Sequence, residues 1–139
     1  MDTHNHWNVV GHDWAVRSLR RAVVTDSVSH AYLFTGPPGV GKTTLARRLA
    51  GALLCQHEDV TRRPCGECRA CHLVASGSHP DLHIVESEHV GASLKIDQVR
   101  RLEHTLSLTP VEGRRQVAIL RRFEEATTSA ANALLKTLE

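Results

Sequence analysis

The clearest chemical signal in the sequence is a glycine-rich segment, Gly36-Pro37-Pro38-Gly39-Val40-Gly41-Lys42-Thr43, which matches the pattern G-x-x-x-x-G-K-[ST]. Glycines permit the backbone angles that turn successive N–H groups toward one anion. A helix that follows such a loop adds the partial positive charge of its N-terminus. In this pattern Lys42 is expected to contact the β- and γ-phosphates, and the Thr43 hydroxyl is expected to bind Mg²⁺. Thr44, the next residue, is also expected to bind the nucleotide. The spacing therefore predicts a nucleotide-binding loop.

All four cysteines lie in one short stretch, separated by nine, two and two residues: Cys55, Cys65, Cys68 and Cys71. Two-residue gaps let neighbouring thiolates converge on one ion, and four thiolates suit a closed, tetrahedral, structural Zn²⁺ site. Disulfides are disfavoured in a reducing cytosol, and an Fe–S cluster is the alternative metal group for these ligands. The pattern predicts a zinc knuckle over residues 55–71.

Apolar periodicity supplies the elements that position these groups. Helical spacing predicts four helices, with Asp13 capping the first and Thr127 or Thr128 capping the last. The apolar stripes of these helices run from Val16 to Val24, Leu45 to Leu53, Ile96 to Leu106 and Ala131 to Leu138. The buried face of the last helix is predicted to comprise Ala131, Leu134, Leu135 and Leu138. Short apolar runs predict strands at Ala31–Thr35, Leu82–Val85 and Val117–Leu120. Strands that alternate with helices indicate an α/β fold, with a parallel sheet flanked by helices.

Composition narrows the classes of protein that fit. The chain has 139 residues, 41% hydrophobic and 23% charged, which suffices for one modest globular domain. No apolar run approaches the ~18 residues of a membrane span, and the N-terminus lacks a secretory signal pattern, so we expect a cytoplasmic protein. A net charge of +2 is too small to indicate nucleic-acid binding, although fourteen of the seventeen basic residues are arginines. Solvated helix faces and ion pairs between subunits explain those arginines better than direct contact with DNA does.

Together with these motifs, several segments resemble the bacterial clamp-loader branch of the AAA+ ATPases. Ser29–Gly36 is similar to the first strand of that branch, and Ala130–Glu139 resembles its helix after Walker B. A four-cysteine knuckle inserted after the Walker A helix is a trait of DNA polymerase III clamp-loader subunits. Within this group, three segments resemble delta prime subunits more than tau/gamma subunits, namely His79–His83, Leu94–Arg100 and Thr109–Arg115.

The resemblance implies a subunit of a ring-like assembly that opens the sliding clamp and loads it at primer–template junctions. The implied partners are the tau/gamma and delta subunits. The sliding clamp and primer–template DNA are reached through the assembly, and contact with a membrane is not expected. The implied nucleotide is ATP, with its base against Val9, Val10 and Gly11. Residues 1–139 are then the N-terminal part of an AAA+ P-loop nucleotide-binding domain, with the remainder of the domain and the C-terminal domains beyond Glu139.

One position departs from the family pattern. A Walker B strand ends in two acidic residues, one for Mg²⁺ and one that activates water, but here Val117–Leu120 is followed by Arg121 and Arg122. Two cations at these positions repel Mg²⁺ and cannot accept a proton. Glu124 or Glu125 replaces the missing acids only if the strand end shifts. We therefore expect ATP binding with weak or no hydrolysis, and impaired Mg²⁺ binding.

Two other functions fit parts of the pattern. A tau/gamma-like ATPase motor fits if the Walker B acidic pair lies at positions other than Arg121 and Arg122. A stand-alone P-loop kinase or transferase fits the phosphate loop, but the sequence shows no acceptor-binding motif. Polymerase chemistry requires carboxylates that hold two metal ions, and no such set is visible.

Overall fold

The computed structural model describes residues 7–9, 11–34, 39–86, 94–121 and 127–138, and the chain divides into two compact units, Met1–His79 and Pro80–Glu139. The described ranges contain α1 (Asp13–Val24), α2 (Lys42–Leu54), a 3-10 helix (Val60–Arg62), α3 (Arg69–Ser76), β1 (Leu82–Val85), α4 (Ile96–Leu106), β2 (Val117–Leu120) and α5 (Thr128–Leu138). These elements confirm an α/β chain. None of these helices is long and apolar enough to cross a membrane.

The first unit has a core between α1 and α2. The apolar stripe predicted for α1 is confirmed, and it packs with Trp7 and α2 in one buried cluster: Trp7, Val16, Leu19, Val23, Leu45, Leu49 and Ala52. Burying a side chain of this size contributes about 1.5–3 kcal/mol, so the cluster is the main reason that the two helices associate. The predicted cap is wrong, because α1 already begins at Asp13 and its N-cap is His12, in the left-handed region at φ +54°.

The strand predicted at Ala31–Thr35 does not form over residues 31–34, which are irregular. The Tyr32 and Leu33 side chains are 41% and 77% exposed, and Thr35 lies outside the described residues. A strand is held by backbone hydrogen bonds to a neighbouring strand, and the described part of the first unit contains none. The apolar run therefore has strand propensity, but the described part of this unit offers no neighbouring strand with which it could pair.

The second unit is built on a parallel pair of strands. Both predicted strands form, and β1 pairs with β2 in a register that joins Leu82 to Val117 and Val85 to Leu120. Helix α4 lies between them in the chain and packs against both strands and α5. The sheet and its packed helices therefore confirm the coarse fold prediction in this unit.

The helices of the second unit bury predicted and unpredicted positions. Val99 and Leu102 of the α4 stripe are buried as expected, and Thr127 caps α5 by accepting the N–H of Ala130 at 3.2 Å. On α5, Ala130 is fully buried, whereas Ala131 and Leu134 are half-buried. The side chains of Leu135 and Leu138 lie outside the described residues. Among the described side chains of α5, Ala130 is therefore a buried position that the sequence did not predict.

Asp81 is a buried carboxylate that fixes the loop before β2. It is fully buried, and it accepts backbone N–H groups from Val111 at 2.6 Å, Glu112 at 2.8 Å and Gly113 at 2.5 Å. Its own carbonyl accepts the N–H of Val117 at 2.8 Å. A buried charge is tolerated only when it is well hydrogen-bonded, and this loop supplies the donors.

Candidate functional site

The described part of the phosphate loop has the backbone that the motif requires. Gly39 and Gly41 adopt positive φ values of +83° and +101°, which a side chain would strain. Helix α2 follows directly, and the N–H of Leu45 donates to the carbonyl of Gly41 at 2.9 Å. Lys42 and Thr43 are half-buried in its first turn, and Thr44 is exposed. Gly36, Pro37 and Pro38 lie outside the described residues.

The N-terminal segment contacts this loop and α2. The Nε2 atom of His12 lies 2.9 Å from the carbonyl oxygen of Val40, and Arg48 donates from Nε to the carbonyl of Trp7 at 2.7 Å. Val9, predicted to face the base, packs against the core cluster of the first unit. Gly11, predicted to do the same, is exposed at φ +74°, and Val10 lies outside the described residues.

The four cysteines converge as their spacing predicts. Their Sγ atoms all lie within 4.8 Å of one another, with 3.9 Å between Cys55 and Cys68 and 3.9 Å between Cys65 and Cys71. Zinc–sulfur bonds of about 2.3 Å place the corners of a tetrahedron about 3.8 Å apart. None of the four forms a disulfide. The donor set therefore fits one tetrahedral, thiophilic ion.

Backbone N–H groups point at these sulfur atoms. Cys65 donates to Cys55 Sγ at 3.4 Å, Cys68 to Cys65 Sγ at 3.3 Å, and Cys71 to Cys68 Sγ at 3.4 Å. Cys68 is also the N-cap of α3, so its sulfur faces the positive end of a helix. Such donors stabilise thiolates, the form in which sulfur binds metal.

The thiol pKa values follow from burial and these donors. For Cys68, burial raises the pKa, but hydrogen bonds from the N–H groups of Gln56 and Cys71 and from the Cys71 and Cys65 side chains outweigh it and lower the pKa to about 6. For Cys71 burial prevails over the N–H of Gly66, so the pKa of that thiol lies well above its ordinary value. Burial likewise raises the pKa of the Cys55 thiol.

The surroundings of the cysteines are held mainly by backbone contacts. A Cβ added at Gly51 of α2 would meet Pro64 Cβ at 3.3 Å, so the absence of a side chain lets the knuckle approach the helix. Arg63 donates from Nε to the carbonyl of His57 at 2.8 Å, and Arg62 pairs with Asp59 at 3.7 Å. His57 Nδ1 accepts the N–H of Asp59 at 3.0 Å, and among the described residues the group that could hold a metal here consists of the four cysteines.

In the second unit, the strand ends carry an ion pair. Arg121 follows β2, and its Nη1 lies 3.2 Å from the Glu86 carboxylate that follows β1. The N–H of Arg121 extends the pairing by donating to the carbonyl of Val85 at 2.8 Å. Both side chains are more than a third exposed, so the pair contributes at most about 1 kcal/mol. Arg122, Glu124 and Glu125 lie outside the described residues.

Comparison with known proteins identifies the family. A family model described as DNA polymerase III, delta subunit, matches residues 11–139. The chain belongs to the DNA polymerase III delta subunit family. It is 45% identical over 111 residues to DNA polymerase III subunit delta′ of Pseudomonas aeruginosa, covering 80% of this chain and 34% of that protein. The subunit delta′ of Bacillus subtilis is 38% identical over 124 residues, covering 89% and 36%.

Members named tau/gamma are also similar. DNA polymerase III subunit tau/gamma of Haemophilus influenzae is 36% identical over 132 residues, covering 95% of this chain and 19% of that protein. The chain spans about a third of the length of the two delta′ relatives. The resemblance to clamp-loader subunits is thereby confirmed, and the similarity to delta′ over this region is the stronger of the two.

Sequence reasoning missed two residues of this family member that organise its loops. His12 was visible only as one of ten scattered histidines, because its contact with Val40 joins positions 28 residues apart. Asp81 stands between a proline and an apolar strand, where an aspartate ordinarily caps a turn. Its buried position became apparent only from the loop that folds back over it.

Proposed function

We propose that this chain is the nucleotide-binding part of a delta prime-like clamp-loader subunit, which binds ATP and helps assemble the ring that loads the sliding clamp onto primed DNA. The observation that carries the proposal is the left-handed backbone at Gly39 and Gly41 leading directly into the N-terminus of α2 at Lys42. Successive inward N–H groups and a helix N-terminus together favour a polyphosphate. The family supplies the assembly, the tau/gamma and delta partners and a cytoplasmic location.

Titration calorimetry of the full-length protein with ATP tests the binding step. Lys42→Ala removes a charged donor to phosphate, and such hydrogen bonds contribute about 1.5–3 kcal/mol, so affinity should fall roughly 10- to 100-fold. Lys136 is an exposed lysine on α5, so Lys136→Ala is the matched control. This variant should bind ATP as the wild type does. Absence of heat with the wild-type protein would contradict the proposal.

Weak or absent hydrolysis is the second part of the proposal. Arg121 stands where the family has a Walker B acid, and its guanidinium pairs with the Glu86 carboxylate. A guanidinium at that strand end repels Mg²⁺ and cannot accept a proton from water. Purified full-length protein should release little phosphate from ATP. Mg²⁺-dependent release that Lys42→Ala abolishes would instead support a tau/gamma-like motor.

A designed acidic pair separates these two readings further. Replacing Arg121→Asp together with Arg122→Glu should create Mg²⁺-dependent nucleotide affinity if the arginines occupy the acidic positions. The exposed Arg121–Glu86 pair contributes little stability, so the variant should fold. Unchanged metal dependence in a folded variant would show that the Walker B assignment is misplaced.

The cysteine cluster is proposed to hold one structural Zn²⁺. Cys55, Cys65, Cys68 and Cys71 would fill its four positions, and the ion would cross-link the residues between α2 and α3. Metal analysis should find about one zinc per chain. Iron together with visible charge-transfer absorption would support the Fe–S alternative, and metal-free protein of unchanged stability would contradict both.

A further inference from the structure

We propose that His12 is a positioning residue for the phosphate loop, which aims the N–H of Gly41 at the bound polyphosphate. The inference rests on the proposed nucleotide binding and adds to it a residue outside the loop motif. His12 is the N-cap of α1, 28 residues before the loop residue that its ring contacts.

The contact has a defined polarity. The Nε2 atom of His12 lies 2.9 Å from the carbonyl oxygen of Val40. A carbonyl oxygen only accepts hydrogen bonds, so Nε2 carries the proton and donates it. The ring therefore holds the Val40 carbonyl in one direction.

Peptide geometry transmits this constraint to the next residue. The carbonyl of Val40 and the N–H of Gly41 belong to the same planar, trans peptide group, so they point in opposite directions. A loop that binds an anion through its N–H groups must turn the matching carbonyls away from the anion. By drawing the Val40 carbonyl toward itself, His12 keeps the Gly41 N–H directed to the opposite side.

The backbone of His12 is itself held in place. Its carbonyl accepts the N–H groups of Ala15 at 2.9 Å and Val16 at 3.1 Å, which begin α1. Its φ of +54° lies in the left-handed region, and Gly11 before it is also left-handed at +74°. A side chain in this region costs free energy, and such strain persists where the surrounding structure fixes it. The helix thus anchors the main chain of His12 while the ring reaches the loop.

The test compares ATP affinity in the full-length protein carrying His12→Ala, His12→Gln or the control His104→Ala. One net hydrogen bond contributes about 0.5–1.5 kcal/mol, so His12→Ala should weaken ATP binding about three- to tenfold. His12→Gln supplies an amide N–H and should restore most of the affinity. His104, exposed in the last turn of α4, should have no effect. Thermal melting without nucleotide identifies any variant whose fold is lost.

A spectroscopic readout tests the hydrogen bond without nucleotide. The ¹⁵N resonances of the His12 ring should show a proton on Nε2, the atom that donates to the carbonyl of Val40. A proton on Nδ1 alone, or a folded His12→Ala protein that binds ATP as tightly as the wild type, would overturn the inference and leave the proposed function standing. Absence of ATP binding by the wild type overturns both the proposed function and this inference.

Discussion

At the scale of single residues, the chain repeatedly uses one acceptor to collect several backbone N–H groups. Asp81 accepts three from the loop before β2, and Cys55 accepts those of His57 and Cys65. Cysteine spacing predicted that the four sulfur atoms converge, but it did not predict the N–H donors of Cys55. The sequence could not predict the contacts of Asp81 either, because its donors lie thirty or more residues away in the chain.

Asp81→Asn should destabilise the second unit. The amide keeps one acceptor oxygen but turns an NH₂ group toward backbone N–H donors of the loop, and each unsatisfied donor costs about 1–3 kcal/mol. We expect a loss of about 2–4 kcal/mol in the free energy of unfolding, measured by urea denaturation. Asp97→Asn, at an exposed position in the first turn of α4, should cost less than about 0.5 kcal/mol. Equal effects of the two changes would refute the role assigned to the Asp81 carboxylate.

Zinc affinity should rise steeply with pH. Burial raises the pKa of the Cys55 and Cys71 thiols, so both are protonated near neutral pH and zinc must displace their protons. The Cys68 thiol, with a pKa of about 6, is already ionised at pH 7. Displacing two protons predicts at least about a hundredfold gain in apparent affinity per pH unit. Competition with a chelator of known pH dependence, from about pH 6 to 8, measures this, and a flat profile would contradict it.

At the scale of elements, local periodicity was sufficient to predict an element whose apolar residues are buried within its own unit. Helix α4 and strands β1 and β2 form where the sequence predicts them, because their apolar residues meet partners within the same unit. The run at 31–34 had the same local signal but no strand beside it among the described residues of its unit. Helix α3 was missed because its eight residues, one of them Cys71, follow the N-cap Cys68 directly and were interpreted as part of a metal loop.

Gly51 tests the packing of α2 against the knuckle. Gly51→Leu places a side chain against Pro64, and overpacking of this kind costs about 1–3 kcal/mol. We expect that loss in thermal or urea unfolding, together with weaker zinc retention. Gly51→Ala should change stability by less, because the gain of about 1 kcal/mol in helix propensity offsets a single tight contact. A fully stable Gly51→Leu protein would mean that Pro64 moves aside freely.

At the scale of the whole chain, two compact units carry different parts of the proposed function. The phosphate loop and the cysteines lie in the first unit, and the strand end with Arg121 lies in the second. Sequence motifs located each part by its residue types. They could not show the division, because it depends on which contacts form after folding.

Removing the metal should affect the two units unequally. All four ligands lie between residues 55 and 71, so a chelator should increase amide hydrogen exchange in α3 and the end of α2. Protection of β1 and β2 should stay close to that of the metal-loaded protein, because their core contains no ligand. Mass-resolved exchange of the full-length protein measures both, and uniform loss of protection would contradict the prediction.

Helix α2 begins at the phosphate loop and ends immediately before Cys55. Its thirteen residues form a rod about 20 Å long, at 1.5 Å per residue. A rigid helix that tilted at its first turn would displace the first sulfur ligand at its other end. Cobalt in place of zinc absorbs visible light in a way that depends on the angles between its ligands. The visible spectrum of a cobalt-loaded protein would therefore report a change at the phosphate-loop end of α2.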